Sequence, residues 1–384
     1  MLDITSLVER AVRERVFPGC VIGVVKKSGL REILPFGHFT YEDSPAVEAD
    51  SIYDIASITK SIPTTSLALM FIDKGQLKLA DKLIDYVPEY RSSYREMVTI
   101  KHLLTYTVGG PQLSLLKDRT PAEILLSAYS HELAHKDSSE QTPKNLCCVF
   151  TRTKCEQAPT SLLASRNKPG TVFAYSNVPA LFLGLVVEMV GGNTLDKLAQ
   201  EYFFDSLKMD NTTFFPRHNS AIYRTIVPTE IGKHEEVRGI VHDESARVFA
   251  KAGRVVGHAG LFSTVPDILN FMEMLLHEGE FKGRRYLSPE IIREMSTNQI
   301  PELAESTGLG WELNQPFMGT YAGAHTFGKT GFTGTSCVCD IEKGVALVIL
   351  SNRTYPARPK DRSTIDAFRA DIADIILAPT STWG

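Results

Sequence analysis

Hydrophobic positions near the two ends of the chain predict β-hairpins. Two extended apolar runs, residues 20–26 and 31–36, are separated by a Ser-Gly turn, and a second pair, 335–341 and 345–351, flanks a Glu-Lys-Gly turn. Turn residues between two apolar runs are typical of hairpins. We therefore expect strands from both ends of the chain to pair in one antiparallel sheet, with the terminal helices covering one of its faces.

The middle of the chain predicts helices, because its apolar positions recur three to four residues apart. The predicted helices cover residues 57–74, 100–104, 121–134, 178–190, 195–204, 266–277 and 289–295, and a last amphipathic helix covers 363–377. Segment 136–168 is polar and has no steady periodicity, which predicts a long loop or insertion near the site. The predicted fold class is α/β in the α+β sense, an antiparallel sheet flanked by helices plus a mainly helical lobe.

Composition excludes several classes of function. The chain has 384 residues, 41 Lys and Arg against 45 Asp and Glu, and a formal net charge of -4. This balance shows no bias toward nucleic acid and favours a small-molecule substrate. The longest apolar stretches, 66–72 and 180–187, are shorter than the ~20 residues of a membrane span, so none is expected. Because residues 1–10 lack the features of a secretory signal, we expect a cytoplasmic protein, or a periplasmic or secreted one if a signal peptide has been removed.

The six cysteines and one histidine motif raise the question of a metal site. No C-x-x-C pair occurs, so reduced and mostly buried thiols are expected, while Cys147, Cys148 and Cys155 leave a loop disulfide or zinc site as alternatives. Residues 131–135 match the zinc-protease pattern H-E-x-x-H, but polar residues follow at once and a zinc protease needs a third ligand. We expect no metal and no cofactor.

One of three S-x-x-K matches has the context of a catalytic serine. The segments 114–117 and 165–168 run into helix-breaking residues, whereas Ser57 begins an apolar helix directly after a strand-like segment. The i, i+3 spacing places Ser57 and Lys60 on one face. A lysine whose pKa is lowered by burial and nearby cations can take the serine proton.

Two further motifs follow in order, and together they carry a resemblance. Tyr175-Ser176-Asn177 is the only Y-x-N and Lys329-Thr330-Gly331 the only K-T-G in the chain. With the S-x-x-K, they resemble the serine β-lactamase and penicillin-binding-protein superfamily, nearest to class C β-lactamases and the β-lactamase-like carboxylesterases. Flanking segments that share the resemblance are 17–19, 55–60, 101–105, 169–171, 257–264, 308–311 and 328–334. The resemblance implies a β-lactamase/transpeptidase-like fold and a single catalytic domain of two lobes over residues 1–384.

The resemblance also implies catalytic roles. Ser57 is the nucleophile that becomes acylated, and Lys60 and Tyr175 share the proton transfers. Asn177 contacts a substrate carbonyl or amide and holds Lys60. The backbone N–H groups of Ser57 and Phe332 are the expected oxyanion hole.

Further site residues follow from the K-T-G segment. Lys329 and Thr330 are expected to contact a substrate carboxylate, with Gly331 between Thr330 and the oxyanion-hole residue. His325, four residues before Lys329, is a candidate for lining the cleft. We interpret His258 as structural, because Ser57 lacks the G-x-S-x-G context in which a Ser-His-Asp site with His258 and Asp243 would operate.

The first functional prediction is a serine hydrolase, most simply a carboxylesterase on small acyl esters. The alternative is a β-lactamase or D-alanyl-D-alanine carboxypeptidase, which the true K-T-G favours because many esterase-like relatives carry His at Lys329. The segment 105–110 departs from the common Thr-His-Thr-Ser-Gly-Leu and changes the neighbouring pocket wall. A penicillin-binding protein that acylates but barely deacylates is the alternative of another class. The expected partner is a small ester or amide, and the oligomeric state is open.

Overall fold

A computed structural model describes the fold over residues 3–88, 95–108, 120–129, 168–218, 222–233 and 236–379. The predicted loop or insertion 136–168 lies outside these described residues except for Lys168. So do the H-E-x-x-H match at 131–135 and the cysteines Cys147, Cys148 and Cys155. The predicted helix from Pro121 is described as far as Tyr129.

A six-stranded antiparallel sheet joins the two ends of the chain, as predicted. Its order in space is β2-β1-β12-β11-β10-β9. The strands are β1 (Gly19–Lys26), β2 (Arg31–Gly37), β9 (Glu312–Leu313), β10 (Phe327–Thr330), β11 (Ser336–Asp340) and β12 (Val345–Ser351). Three strand pairs lie outside this sheet: β3 (Tyr53–Asp54) with β6 (Phe262–Ser263), β4 (Glu230–Ile231) with β5 (Glu236–Val237), and β7 (Glu280–Phe281) with β8 (Arg284–Arg285).

The predicted helices other than the one over 57–74 appear near their expected positions, whereas the helices at residues 83–86, 205–207 and 244–251 were not predicted. The α-helices are α1 (Ile4–Arg13), α2 (Ser66–Asp73), α3 (Leu83–Tyr86), α4 (Ile100–Leu104), α5 (Pro121–Tyr129), α6 (Val178–Gly191), α7 (Leu195–Ala199), α8 (Asp205–Leu207), α9 (Glu244–Lys251), α10 (Val265–Leu276), α11 (Pro289–Met295) and α12 (Ser363–Leu377). In the described part of the chain no single helix is long and apolar enough to cross a membrane; only Val178–Gly191 and Leu195–Leu207 together, bent by 72°, pass that test.

Both faces of the sheet are covered, which explains why β1 reads as a continuous apolar run. Alternate side chains of a strand point to opposite faces. Ile22 and Val24 join the cluster formed with α1 and α12, whereas Val21 and Val25 join the larger cluster that contains α10 and the helices of the middle segment. The middle segment therefore packs on one face and the terminal helices on the other.

The predicted helix over residues 57–74 is broken in the structure. It consists of a 3-10 helix (Ala56–Lys60), a π-helical turn (Ser61–Thr65) and α2. Ile62 has φ -118° and ψ 109°, an extended conformation inside this run. The cause is Pro63, whose ring disfavours the helical conformation of the preceding residue.

Close packing of α10 on β1 depends on a glycine, which gives a test of the fold. A Cβ atom at Gly23 would collide with Val265 and lie 2.8 Å from Leu269 Cδ1. We expect Gly23→Val to lower the free energy of unfolding by about 1–3 kcal/mol, because overpacking forces the helix away from the sheet. At Gly323 the nearest atom to an added Cβ is 3.7 Å away, so the control Gly323→Ala should stay within about 0.5 kcal/mol. Denaturant unfolding followed by circular dichroism measures both, and equal losses would contradict this packing argument.

Candidate active site

A strained turn carries the predicted nucleophile. Ala56, directly before Ser57, has φ +47°, a left-handed conformation that costs a non-glycine residue about 1–3 kcal/mol. The buried carboxylate of Asp54 holds this turn, since it accepts hydrogen bonds from Ala56 N at 2.8 Å and from His242 N at 2.7 Å. Ser57 is thereby fixed at the start of the 3-10 helix.

Lys60 lies against Ser57, as the spacing predicted. Its Nζ donates to Ser57 Oγ and to the carbonyl oxygen of His258, each at 2.8 Å. The side chain is buried, with 1% of its surface exposed. Burial, and next the repulsion from Lys329, lower the pKa of Lys60, although Tyr175 acts in the opposite direction. A lysine with a lowered pKa is suited to exchange a proton with a serine hydroxyl.

Tyr175 is flanked by two ammonium groups. The Nζ atoms of Lys329 and Lys60 lie 4.4 Å and 5.5 Å from its ring centroid, and the Tyr106 ring lies 5.0 Å away. Burial of the hydroxyl raises the pKa of Tyr175, but the positive charges of the two lysines, with a hydrogen bond from Ser57, outweigh it and lower the pKa overall. The residue still has 44% of its surface exposed, so a substrate can reach it. The arrangement favours the phenolate as a base.

Lys329 is held by an acidic residue that the sequence analysis missed. Its Nζ donates to Glu312 Oε1 at 2.8 Å, and Lys329 itself has no exposed surface. Burial alone lowers the pKa of Lys329, but the charge of Glu312 and the neighbouring Tyr106 reverse the sign and raise it. Lys329 is therefore a permanent cation beside Tyr175. Glu312 directly follows the G-L-G-W segment, which is the signal that points to it.

The K-T-G segment docks on the nucleophile turn through its glycine. A Cβ at Gly331 would collide with Thr335 and lie 2.5 Å from Ile55 O. Two threonines complete the contact: Thr333 Oγ1 donates to Asp54 O at 2.7 Å and Thr335 Oγ1 to Ile55 O at 3.1 Å. Only glycine allows the two segments to approach so closely.

A buried arginine of α12 fixes the same turn from behind. Arg369 Nη2 donates to Gly331 O at 3.0 Å and to Thr335 O at 2.7 Å, and its Nη1 pairs with Asp366 at 2.8 Å. Arg369 has 1% of its surface exposed. The terminal helix thus supports the position of the K-T-G turn.

These elements enclose a cleft of about 490 Å³. Five predicted site residues line it: Ser57, Tyr175, Thr330, Gly331 and Phe332. The Phe332 ring, 46% exposed, stacks on His242 with ring centroids 5.7 Å apart. Lys60 and Lys329 lie buried behind this lining. The backbone N–H groups predicted for the oxyanion hole therefore belong to residues of one cleft.

Two arginines that the sequence analysis did not identify also line the cleft. Arg362 donates from Nη2 to Thr330 Oγ1 at 3.4 Å and from Nε to Asp366 Oδ2 at 3.0 Å. Arg353 donates from Nη1 to Phe332 O at 3.2 Å and from Nη2 to Asp361 O at 3.0 Å. Both follow β12, and no recognisable motif marks them in the sequence.

Asn177 and His325 are placed differently from the expectation. Asn177 Nδ2 donates to Asp243 Oδ2 at 3.0 Å, whereas the bonds described for Lys60 go to Ser57 and His258. His325 does not line the cleft: it is exposed, and its Nδ1 lies 3.1 Å from Ser296 O. The reason is that His325 lies within the turn closed by the hydrogen bond from Thr326 N to Gly323 O, directly before β10 begins at Phe327.

The remaining candidate residues, a histidine and three cysteines, are buried, which is typical of residues with a structural role. His258 is fully buried, with Nε2 2.9 Å from Ser245 Oγ. Cys20, Cys337 and Cys339 are free and buried. Across the described ranges, no three His, Cys, Asp or Glu side chains are grouped in a way that could hold a metal ion.

Comparison with known sequences agrees with this geometry. The family model described as Beta-lactamase matches residues 4–371. A protein of Escherichia coli strain K12, provisionally named a D-alanyl-D-alanine carboxypeptidase, is 28% identical over 343 residues, which are 83% of this chain and 73% of that protein. One of the same provisional name from Salmonella agona is 26% identical over 361 residues, 87% of this chain and 76% of that protein.

Solved structures show the same fold. The octameric penicillin-binding protein homologue from Pyrococcus abyssi superposes with a TM-score of 0.70 at 22% identity, covering 97% of this chain and 76% of that one. The D-alanine carboxypeptidase AmpC from Burkholderia cenocepacia gives 0.67 at 20% identity, with 96% and 97% covered. The predicted fold class is confirmed. The chain belongs to the β-lactamase family of serine hydrolases.

Proposed function

We propose that the protein is a D-alanyl-D-alanine carboxypeptidase that removes the carboxyl-terminal D-alanine of a peptide through an acyl-enzyme on Ser57. The observation that carries this proposal is the pair Arg353 and Arg362 beside Thr330, in the cleft that also contains Ser57. Guanidinium groups bind carboxylates through two parallel hydrogen bonds. A peptide with a free carboxyl terminus uses such a site, whereas a simple acyl ester gains nothing from it.

The charges in the cleft support a carboxylate ligand at these arginines rather than at Lys329. Glu312 already compensates Lys329. Near the arginines a single carboxylate, Asp366, pairs with both Arg362 and Arg369, so positive charge is in excess there. Arg353 donates to two carbonyl oxygens, neither of which carries a full negative charge. Burial, and then the repulsion from Arg362, lower the pKa of Arg353. A substrate carboxylate between the two guanidinium groups relieves this repulsion.

The residues of the cleft account for each proton transfer in the proposed reaction. Ser57 Oγ attacks the carbonyl carbon of the penultimate residue while its proton passes to the Tyr175 phenolate. The backbone N–H groups of Ser57 and Phe332 stabilise the oxyanion. As the peptide C–N bond breaks, the nitrogen of the leaving D-alanine takes that proton. Water then attacks the acyl-enzyme and gives a proton to Tyr175. The ester bond to Ser57 Oγ breaks, Oγ takes that proton, and the shortened peptide is released.

The names of the relatives favour the carboxypeptidase over the carboxylesterase, which was the first functional prediction from the sequence. The two curated relatives described above carry a D-alanyl-D-alanine carboxypeptidase name, and none of the described relatives is named an esterase. The proposed subsite is equally compatible with the carboxylate of a β-lactam. The assays below therefore include one.

The first prediction concerns the terminal carboxylate. We expect D-alanine release from an N-acetylated peptide that ends in D-alanyl-D-alanine, and kcat/KM about 100-fold lower for the same peptide with a carboxyl-terminal amide, because the guanidinium bonds are lost. Liquid chromatography of the products measures both.

p-Nitrophenyl acetate and nitrocefin are assayed in parallel to distinguish the alternative functions. Fast turnover of the ester with no peptide cleavage would favour the esterase, nitrocefin turnover alone would favour a β-lactamase, and acylation by a labelled penicillin without turnover would favour a penicillin-binding protein.

A second prediction isolates Arg362. Arg362→Gln should lower kcat/KM for the peptide acid by about 10- to 100-fold, as expected for a lost charge-assisted hydrogen bond, and leave the peptide amide unchanged. Arg10→Gln is the matched control, because Arg10 also pairs with an acidic residue of α12, Asp371, at 3.1 Å. The proposal fails if acid and amide lose activity equally.

A third prediction tests the proton transfer. Tyr175→Phe should lower kcat by a factor of roughly 10²–10⁴, since the base is lost while the ring remains. Ser57→Ala should abolish turnover with the fold intact by circular dichroism. Normal turnover by the Ser57 variant would overturn the assignment of the nucleophile.

A further inference from the structure

A half-buried carboxylate, Asp243, with 21% of its side chain exposed, connects to two residues of the site. Asp243 Oδ2 accepts a hydrogen bond from Asn177 Nδ2 at 3.0 Å, and its Oδ1 accepts one from Ser245 Oγ at 2.6 Å. Ser245 has no exposed surface. The sequence offered Asp243 only as part of a Ser-His-Asp pattern with Ser57, whereas the structure connects it to different groups.

The number of available protons determines which group donates in each of the other hydrogen bonds of this network. A serine hydroxyl has one proton; because Ser245 gives it to Asp243, its oxygen must accept from His258 Nε2, 2.9 Å away. Burial lowers the pKa of His258, although Asp243 opposes this. Its Nδ1 is buried and has no hydrogen-bond partner among the described residues, which assigns the ring proton to Nε2. The backbone carbonyl of this anchored histidine is the acceptor for Lys60 Nζ.

The network also supplies a charge that the site needs. Two buried ammonium groups, Lys60 and Lys329, flank Tyr175, and a buried charge is stable only with a partner. Glu312 contacts Lys329 directly. On the side of Lys60 the negative charge of Tyr175, and then that of Asp243, acts against the loss of the Lys60 proton.

We propose that Asp243 is a positioning residue for the reaction at Ser57: one carboxylate oxygen fixes Asn177, and the other fixes, through Ser245, the histidine whose carbonyl binds Lys60. The inference rests on the proposed roles of Ser57 and Lys60 and is independent of the D-alanyl-D-alanine substrate. The Ser245, His258 and Asp243 cluster is not a second nucleophilic site, because Ser245 is buried and its proton points at Asp243.

A purely structural role for Asp243 is separable from the positioning role. Asp243 is the N-cap of α9 and accepts from Ala246 N at 2.9 Å. Asparagine caps helices about as well as aspartate. Asp243→Asn therefore keeps the cap while it removes the charge and replaces one acceptor with a donor that opposes Asn177 Nδ2.

The experiment measures the rate at which a fluorophosphonate probe labels Ser57, followed by mass spectrometry across pH. Asp243→Asn should lower the maximal rate by about 10- to 100-fold through misplacement of the site. Its acid limb should move to lower pH by about 0.5–1 unit, because loss of the anion lowers the pKa of the coupled Tyr175 and Lys60 pair, whose deprotonated form accepts the Ser57 proton. The other ionisable groups facing this region are Asp54, His258, Tyr175 and Lys329, and all are unchanged in the variant.

Two further variants keep the test decisive. Glu244→Gln makes the same change of charge one residue away, at a carboxylate that pairs with Arg358, and should stay within twofold of the wild type with an unshifted limb. Ser245→Ala removes the serine between Asp243 and His258 without changing charge and leaves only the direct approach of His258 Nε2 to Asp243 Oδ1 at 3.4 Å, so it should lower the rate and leave the limb in place. Circular dichroism melting checks that each variant is folded.

The outcomes distinguish a failure of the role proposed for Asp243 from a failure of the assignment of Ser57 as the nucleophile. The inference is overturned if Asp243→Asn and Ser245→Ala both label at the wild-type rate, or if Glu244→Gln reproduces the shift. If the wild type is not labelled at Ser57, or Ser57→Ala is labelled equally, the proposed nucleophile is wrong and the inference falls with it.

Discussion

The burial of two ammonium groups around one phenol is the constraint on which the site depends. Lys60 and Lys329 are almost completely inaccessible, yet both approach the ring of Tyr175. Two like charges in a region of low dielectric repel strongly. The fold accommodates them because Glu312 contacts Lys329 directly, while the negative charges of Tyr175 and then Asp243 act on Lys60. Because Glu312 contacts Lys329 directly, the pKa of Lys329 is raised, whereas burial dominates at Lys60 and lowers its pKa.

The architecture brings these charges together from distant parts of the chain. The nucleophile turn follows β3, the phenol precedes α6, and Lys329 lies on β10 of the sheet. Gly331 allows the K-T-G segment to meet the backbone of Ile55, and Arg369 holds that segment from the opposite side. Gly331 and the buried Arg369 therefore position the reacting groups, although neither takes part in the reaction.

Sequence alone identified the groups whose spacing or pattern is local. Ser57 and Lys60 are one helical turn apart, the K-T-G motif is contiguous, and the terminal strands are continuous apolar runs joined by short turns. The partners that tune these groups could not be found in this way, since Glu312, Asp243 and Arg362 are brought in by tertiary packing. His325 shows the converse: proximity in sequence to Lys329 does not place a side chain in the cleft when the chain turns between them. Pro63 likewise interrupts a pattern whose apolar positions alone predict one helix.

The pairing of β1 with β12 has a consequence for the order in which the enzyme acquires activity. During synthesis β1 emerges early, but one of its two neighbours is contained in residues 345–351. Such non-local pairing delays folding, because loop closure must precede the contacts that reward it. The K-T-G turn also lacks Arg369 until α12 has been made. We therefore expect a nascent chain to carry its serine motif before the site can form, and hydrolytic activity to require α12 packed against the sheet.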